Sequence, residues 1–447
     1  VVLSLVAAVD VLLFFWYLRA SIIRQPFWDM FSWVLRYLDY LRDGGWWNYV
    51  WASHDIHRPV WIRLITAFDI EAFAGVAYPF IVFTTACFLI TVRCLWRESR
   101  RGIPGTLGRA LGLIAVMLAM TSVAAVNCAV PITNGYVHVL MTAVLAIVLF
   151  DVDENVVPAA RADGSVAWWN LAWVRRGTAI LAAINAPLAS AVGVVVWPIL
   201  LWVAWSGRAG RRWTITVVVV GLAFLSFYTR GLSPAMAASV ATVTRVGSVD
   251  DLASRANYLL TYLGLPWTRS AALLPEGQIV GGLLLIVGTW VVVQRGFLRR
   301  PTRRLERVAL ASIMFSIATA LMAAAGRADA AGGGEVLVPV RYSVLLIPLH
   351  VGLLWLAAPA VQRFWDSPQR RPIVATALAA ASMLLLVQQV AAGESAGARA
   401  SRIRTVITRF ENGETDPEMR TIVYVDLEQA RHEREVISRA GIYLSTR

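Results

Sequence analysis

The chain has 447 residues, of which 58% are hydrophobic and only 15% charged, and its mean hydropathy is +0.62. A water-soluble domain of this length carries about a quarter charged residues, so the composition excludes an ordinary soluble enzyme and points to a membrane protein. The net charge of +13 rests on 41 basic residues, all arginine; they cluster in short loops between apolar blocks, which argues for the positive-inside pattern and against nucleic acid.

Apolar blocks fall at 1–23, 76–93, 110–127, 136–152, 177–206, 213–229, 277–294, 308–325, 340–360 and 373–392. The first opens without a basic leader, which favours a retained helix over a cleaved signal peptide. A span needs about 20 residues, and 177–206 exceeds that while holding Asn185, Pro187, Gly193 and Pro198. It is therefore expected to divide into two short helices, giving about eleven spans in an all-α polytopic fold.

Arg93, Arg97, Arg100, Arg101 and Arg109 crowd one loop, followed by Arg175 and Arg176, then Arg208, Arg211 and Arg212. Arg295 to Arg307 and Arg363 to Arg371 mark the last two basic loops. Calling these sides cytoplasmic is consistent only if 177–206 divides, and it puts the remaining loops outside. The expected location is a bacterial inner membrane, multi-pass, with function on the periplasmic side. Cys87, Cys94 and Cys128 lie in or beside apolar segments without metal-ligand spacing.

Three outer segments are long enough to carry function: 24–75, 230–276 and 393–447. The expected division is a transmembrane domain over 1–392 and a small periplasmic segment over 393–447, strand-like at 421–427 and helical after it. The 230–276 loop, with Arg230, Arg245, Arg255, Arg269, Tyr258, Tyr262 and Trp267, has the composition of a lid over a site or of an interfacial belt.

The first outer segment is the most informative. In WDMFSWVLRYLDYLRD (28–43), Phe31, Val34, Leu35, Leu38 and Leu41 share one helical face, so the helix should lie in the interface until Gly44 and Gly45 end it. Trp46, Trp47 and Trp51 suit the headgroup layer. Pro59 opens a second amphipathic stretch with Trp61, Leu64, Ile65 and Phe68, and the polar knot His54-Asp55-Ile56-His57-Arg58 lies between the two.

A first span, an outer loop opening on an acid, two interfacial helices around a polar turn and a glycine before the next span resemble the GT-C superfamily of membrane glycosyltransferases, including protein O-mannosyltransferases and lipid A aminoarabinose transferases. SHDIHRPVWIRLITAFDIEAFAG (53–75), NGYVHVLMTAVLAIVLF (134–150), SAVGVVVWPILLWVAWSGRAGRR (190–212) and AAAGRADAAGGGEVLVPVRYSVLLI (323–347) are similar to blocks of bacterial membrane proteins grouped with that superfamily. The resemblance implies an acidic base at Asp29 and basic residues near Arg327 and Arg341 that hold the phosphate of a polyprenyl-phosphate sugar. It also departs from the pattern: Asp29 stands alone before Met30, and the polar knot lacks a central acid. A divalent metal is compatible with the sequence but not required by it, and no cofactor is identified.

Each candidate has two readings. Asp29 is either a general base or an N-cap. His54, Asp55 and His57 either shape a site or form a hydrogen-bonded turn, too few for an ordinary zinc site. Arg58 and Arg63 stand where positive-inside bias gives no reason for arginine; a lipid phosphate would supply one. Arg327 and Arg341-Tyr342 flank a glycine-rich outer turn and either bind phosphate or snorkel to the interface. His138 is a second site candidate or a core histidine. GxxxxGKS, GxSxG and HExxH motifs are absent from the sequence, as is any cytoplasmic segment long enough for a nucleotide-sugar domain.

The expected function is transfer of a sugar from a polyprenyl-phosphate donor to a glycan, lipid or protein acceptor at the periplasmic face, with membrane lipid as the other partner. A lipid-linked saccharide flippase and a non-catalytic lipid-binding scaffold are the alternatives.

Overall fold

The structure, a computed structural model, describes residues 1–54, 57–152, 171–207, 209–231, 249–267, 274–327, 340–423 and 426–443. Among these residues the regular structure is all helix, and the one isolated β-bridge joins His54 to His57. In chain order the α-helices are α1 (Val2–Ala20), α2 (Asp29–Arg42), α3 (Trp46–Trp51), α4 (Val60–Phe73), α5 (Tyr78–Gly102), α6 (Gly105–Ala119), α7 (Ser122–Ala129), α8 (Asn134–Phe150) and α9 (Ala172–Asn185). They continue with α10 (Val196–Ser206), α11 (Arg211–Thr229), α12 (Val249–Gly264), α13 (Leu274–Val291), α14 (Arg304–Arg327), α15 (Ile347–Trp365), α16 (Arg371–Glu411), α17 (Pro417–Ile422) and α18 (Leu427–Arg439).

The protein is an all-α polytopic membrane protein. Among the described residues eight helices are long and apolar enough to cross a membrane, and a ninth if the bent pair α6–α7 forms one span. Eleven is reached only by also counting α9 and α10. At about 1.5 Å per residue, the 14 residues of α9 fall short of a hydrocarbon core about 30 Å thick. The break expected in 177–206 is present: α9 ends at Asn185, and a single 3-10 stretch over Ala191–Val195 leads into α10.

α8 is apolar on every side and correspondingly buried on nearly every side, against α5, α9, α10 and α14. The α6–α7 pair bends by 52°. Such a break strands backbone groups in the bundle. Gln389 of α16 repairs it, its Nε2 donating to the Met120 carbonyl at 2.6 Å and its Oε1 accepting from the Ser122 N–H. Thr121 Oγ1 accepts from the Ala124 N–H at 3.1 Å and caps the second half.

Arginines from three of the groups placed on one side by sequence meet at one end of the bundle. Glu98 of α5 accepts from Arg101 at 3.2 Å and from Arg304 of α14. Asp151 accepts from Arg307 Nε and Nη2 at 3.0–3.1 Å. Arg175 and Arg176 donate to the Val148 and Phe150 carbonyls at the end of α8.

At the opposite end, α2, α3 and α4 form a layer with the C-terminal helices α17 and α18. Phe31 and Val34 of α2 are buried as the pattern requires, but so are Met30, Trp33 and Tyr37, while Leu41 is exposed. The buried arc is wider than one stripe because α18 packs on α2. α16 runs unbroken through residue 392 to Glu411, crossing α1 where Gly393 meets Tyr17; a Cβ there would lie 2.0 Å from the ring. The strand-like stretch is not strand where it is described: Thr421 and Ile422 end α17, Asp426 caps α18 through its Oδ1, and Tyr424 and Val425 lie outside the described residues. In the 230–276 loop, Tyr258 and Tyr262 belong to the core rather than to a stacking surface, whereas Arg245 and Arg269 lie outside the described residues.

Candidate active site

A cavity opens beneath the first loop, lined by Asp29, Trp33, His54, His57, Tyr136 and Arg341 among others. Its acid and its histidines come from the first loop, and its arginine from the stretch leading into α15. Their convergence is a property of the fold alone.

Asp29 is the first residue of α2, so it is not the N-cap; that position belongs to Trp28, whose φ of 50° and ψ of −136° are unusual for a bulky side chain. The Asp29 side chain is 40% exposed, and its Oδ2 lies 3.8 Å from His54 Nε2. His54 and His57 close a tight turn by exchanging main-chain hydrogen bonds of 2.8 and 2.9 Å. Arg36 of α2 braces the turn, its Nη1 donating to the Ser53 carbonyl at 2.7 Å. His57 Nδ1 accepts from the Ala191 N–H at 3.1 Å; with Nδ1 an acceptor, the neutral ring carries its proton on Nε2.

Arg341 stands at the start of the 3-10 stretch Val340–Leu346 that leads into α15. Its Cζ lies 5.5 Å from the Tyr342 ring centroid, and its Nε is buried without a hydrogen-bond partner among the described residues. Tyr342 is held in turn: its ring meets Tyr136 edge-on at 4.6 Å, and its carbonyl accepts from the buried Tyr262 hydroxyl at 3.0 Å. Gly135 lets α8 approach the wall of the cavity, because a Cβ there would sit 2.8 Å from the Ala189 carbonyl.

The remaining sequence candidates have other surroundings. Arg58 and Arg63 do not line the cavity. Arg58 donates to the Tyr228, Trp51 and Arg230 carbonyls, and Arg63 to those of Val50, Ala52 and Ser53. Both side chains are buried. Burial lowers the pKa of each, that of Arg63 to about 10, which leaves Arg63 charged at neutral pH. Main-chain carbonyls, with no need of a lipid phosphate, account for arginines on this side. Tyr342 supports Arg341 and is itself 4% exposed. His138 packs against Trp61 and Phe83, with ring centroids at 5.1 and 5.5 Å, and is a core histidine outside the cavity. Asp55 and the side chain of Arg327 lie outside the described residues.

Trp33 and Tyr136 were not singled out as site residues by sequence. Trp33 lies one helical turn after Asp29, and its Nε1 is buried without a partner among the described residues. That four-residue spacing puts it on the face of Asp29 and was the available signal. Among the described residues no group of three or more His, Cys, Asp or Glu is arranged to hold a metal.

No family model matches the chain, and no curated protein matches it. Among solved structures the chain is similar to the crystal structure of ArnT from Cupriavidus metallidurans in the apo state, at 15% identity and a TM-score of 0.45, over 93% of this chain and 81% of that one.

Proposed function

We propose that the chain is a membrane glycosyltransferase that moves a sugar from a polyprenyl-phosphate donor to a hydroxyl-bearing acceptor on the face carrying the first loop, the outer face by the arginine distribution. The observation that carries this reading is the convergence of Asp29, His57 and Arg341 on one cavity. In the proposed step the Asp29 carboxylate takes the acceptor hydroxyl proton as the oxygen bonds to the anomeric carbon. The bond from that carbon to the donor phosphate breaks, and its electron pair goes to the phosphate. Arg341 meets the growing charge with a planar fork of N–H donors, and His57 Nε2–H supplies another donor. Attack opposite the leaving phosphate inverts the anomeric centre. A phosphate leaving group needs no strong acid, so one carboxylate suffices.

The test is turnover of a panel of polyprenyl-phosphate sugars by protein in lipid nanodiscs. Asp29→Asn keeps the shape but removes the base, and a rate loss of about 10²–10⁴-fold is expected. Phosphate-lipid binding without turnover of any donor would favour a binding scaffold, and saccharide movement across liposomes without bond cleavage would favour a flippase.

A further inference from the structure

We propose that the C-terminal segment is a positioning clamp for the first loop, and that Tyr443 and Arg404 are positioning residues for α2 and its Asp29. The proposal rests on the cavity being the reactive site.

The segment grips the loop at both ends. At the entry, Arg404 Nη1 donates to the carbonyls of Ala20 and Ile22 at 2.9 and 3.1 Å, where α1 ends. The Trp28 N–H, which precedes the first turn of α2, donates to the Val423 carbonyl at 2.8 Å. Trp28 is thus held in its unusual positive-φ conformation by a bond to the C-terminal segment, and the next residue is Asp29. At the exit, the Tyr443 hydroxyl donates to Asp69 Oδ2 at 3.0 Å, and the Tyr443 N–H donates to the Ala74 carbonyl at 3.0 Å. Asp69 also accepts from the Ala77 N–H at 3.0 Å, so a single carboxylate ties the end of α4, the start of α5 and the C-terminal segment together. The fit is close: a Cβ on Gly75, at φ +77°, would lie 2.7 Å from Ile442 and 2.8 Å from Tyr443.

Between these two grips α18 backs α2. Leu427, Ala430 and Ile437 share one core with Met30, Phe31 and Val34, while Asp29 and Trp33 of the same helix line the cavity. α2 therefore has the C-terminal segment behind it and the cavity before it. A segment serving only as a surface cover would not need to bond the backbone residue adjoining the acid.

The experiment uses the full chain in nanodiscs, with Tyr443→Phe, Arg404→Gln and the double variant. Hydrogen exchange is followed over 24–60 by mass spectrometry, together with thermal stability, binding of polyprenyl phosphate and turnover of the donor panel. The clamp predicts at least tenfold faster exchange over 28–35 in the double variant at an unchanged melting temperature. Where turnover is measurable, it predicts a loss in kcat with KM changed less than twofold. Unchanged exchange over 28–35 overturns the clamp, as does a uniform rise across all helices with a lowered melting temperature. If the parent protein neither binds polyprenyl phosphate nor turns over any donor, the glycosyltransferase reading falls, and the exchange result still decides the clamp.

Discussion

Arg341→Met isolates the charge held at the cavity wall. The parent guanidinium rests on the Tyr342 ring, which is pinned by Tyr136 and by the Tyr262 hydroxyl, and its Nε lacks a partner among the described residues. A group so placed has little side-chain freedom left to lose on meeting a phosphate. A hydrogen bond with a charged partner contributes about 1.5–3 kcal/mol, so losing the guanidinium contact should weaken polyprenyl-phosphate binding by roughly 10- to 150-fold. Arg341→Lys keeps a point charge but not the planar fork, and should fall between the two. Titration in neutral-lipid nanodiscs, read by native mass spectrometry, measures the change. Arg42→Met is the control, because Arg42 is exposed and, among the described residues, paired only with nearby Asp39 at 3.9 Å. Parent-like binding by Arg341→Met refutes the assignment. Equal weakening by Arg42→Met refutes it as well, since it would mean that any positive charge on this face attracts the lipid.

Arg63→Met should lower stability rather than change cavity chemistry, by at least the roughly 1.5–3 kcal/mol of one charged hydrogen bond, read as a lowered melting temperature. Asp151→Ala strands the Arg307 guanidinium at the basic end and should cost about 3–5 kcal/mol, measured by chemical denaturation in detergent. Burial raises the Asp69 pKa above its ordinary value despite the Ala77 and Tyr443 bonds. The folded state therefore holds that proton more tightly than the unfolded one, and the stabilisation is full below about pH 4. It is lost as pH rises through the elevated folded value, so exchange at 69–77 should quicken with pH beyond the intrinsic rate, and Asp69→Asn should abolish that excess.

The spans were legible because hydropathy is a local property: each stretch meets the hydrocarbon by itself, and the arginines that avoid it gather at one end. The break after Asn185 was legible for the same reason, since a run too long for one helix must yield at its weakest residues. The partners of Arg58 and Arg63 were not. A guanidinium asks for oxygens in its plane, and a phosphate and a cluster of helix-end carbonyls answer equally well. Carbonyls are present at every position and leave no mark in the sequence. What separates Arg341 from Arg58 is therefore not residue type or the side on which the sequence places them, because both are shared. It is whether the fold brings main-chain oxygens within reach. Around Arg58 two chain segments do so, at Trp51 and at Tyr228 to Arg230; at Arg341 the neighbours are the Tyr136 and Tyr342 side chains and the Asp29 carboxylate, and the buried Nε is left without an acceptor among the described residues. An arginine supported in this way is suited to a ligand that brings its own oxygens.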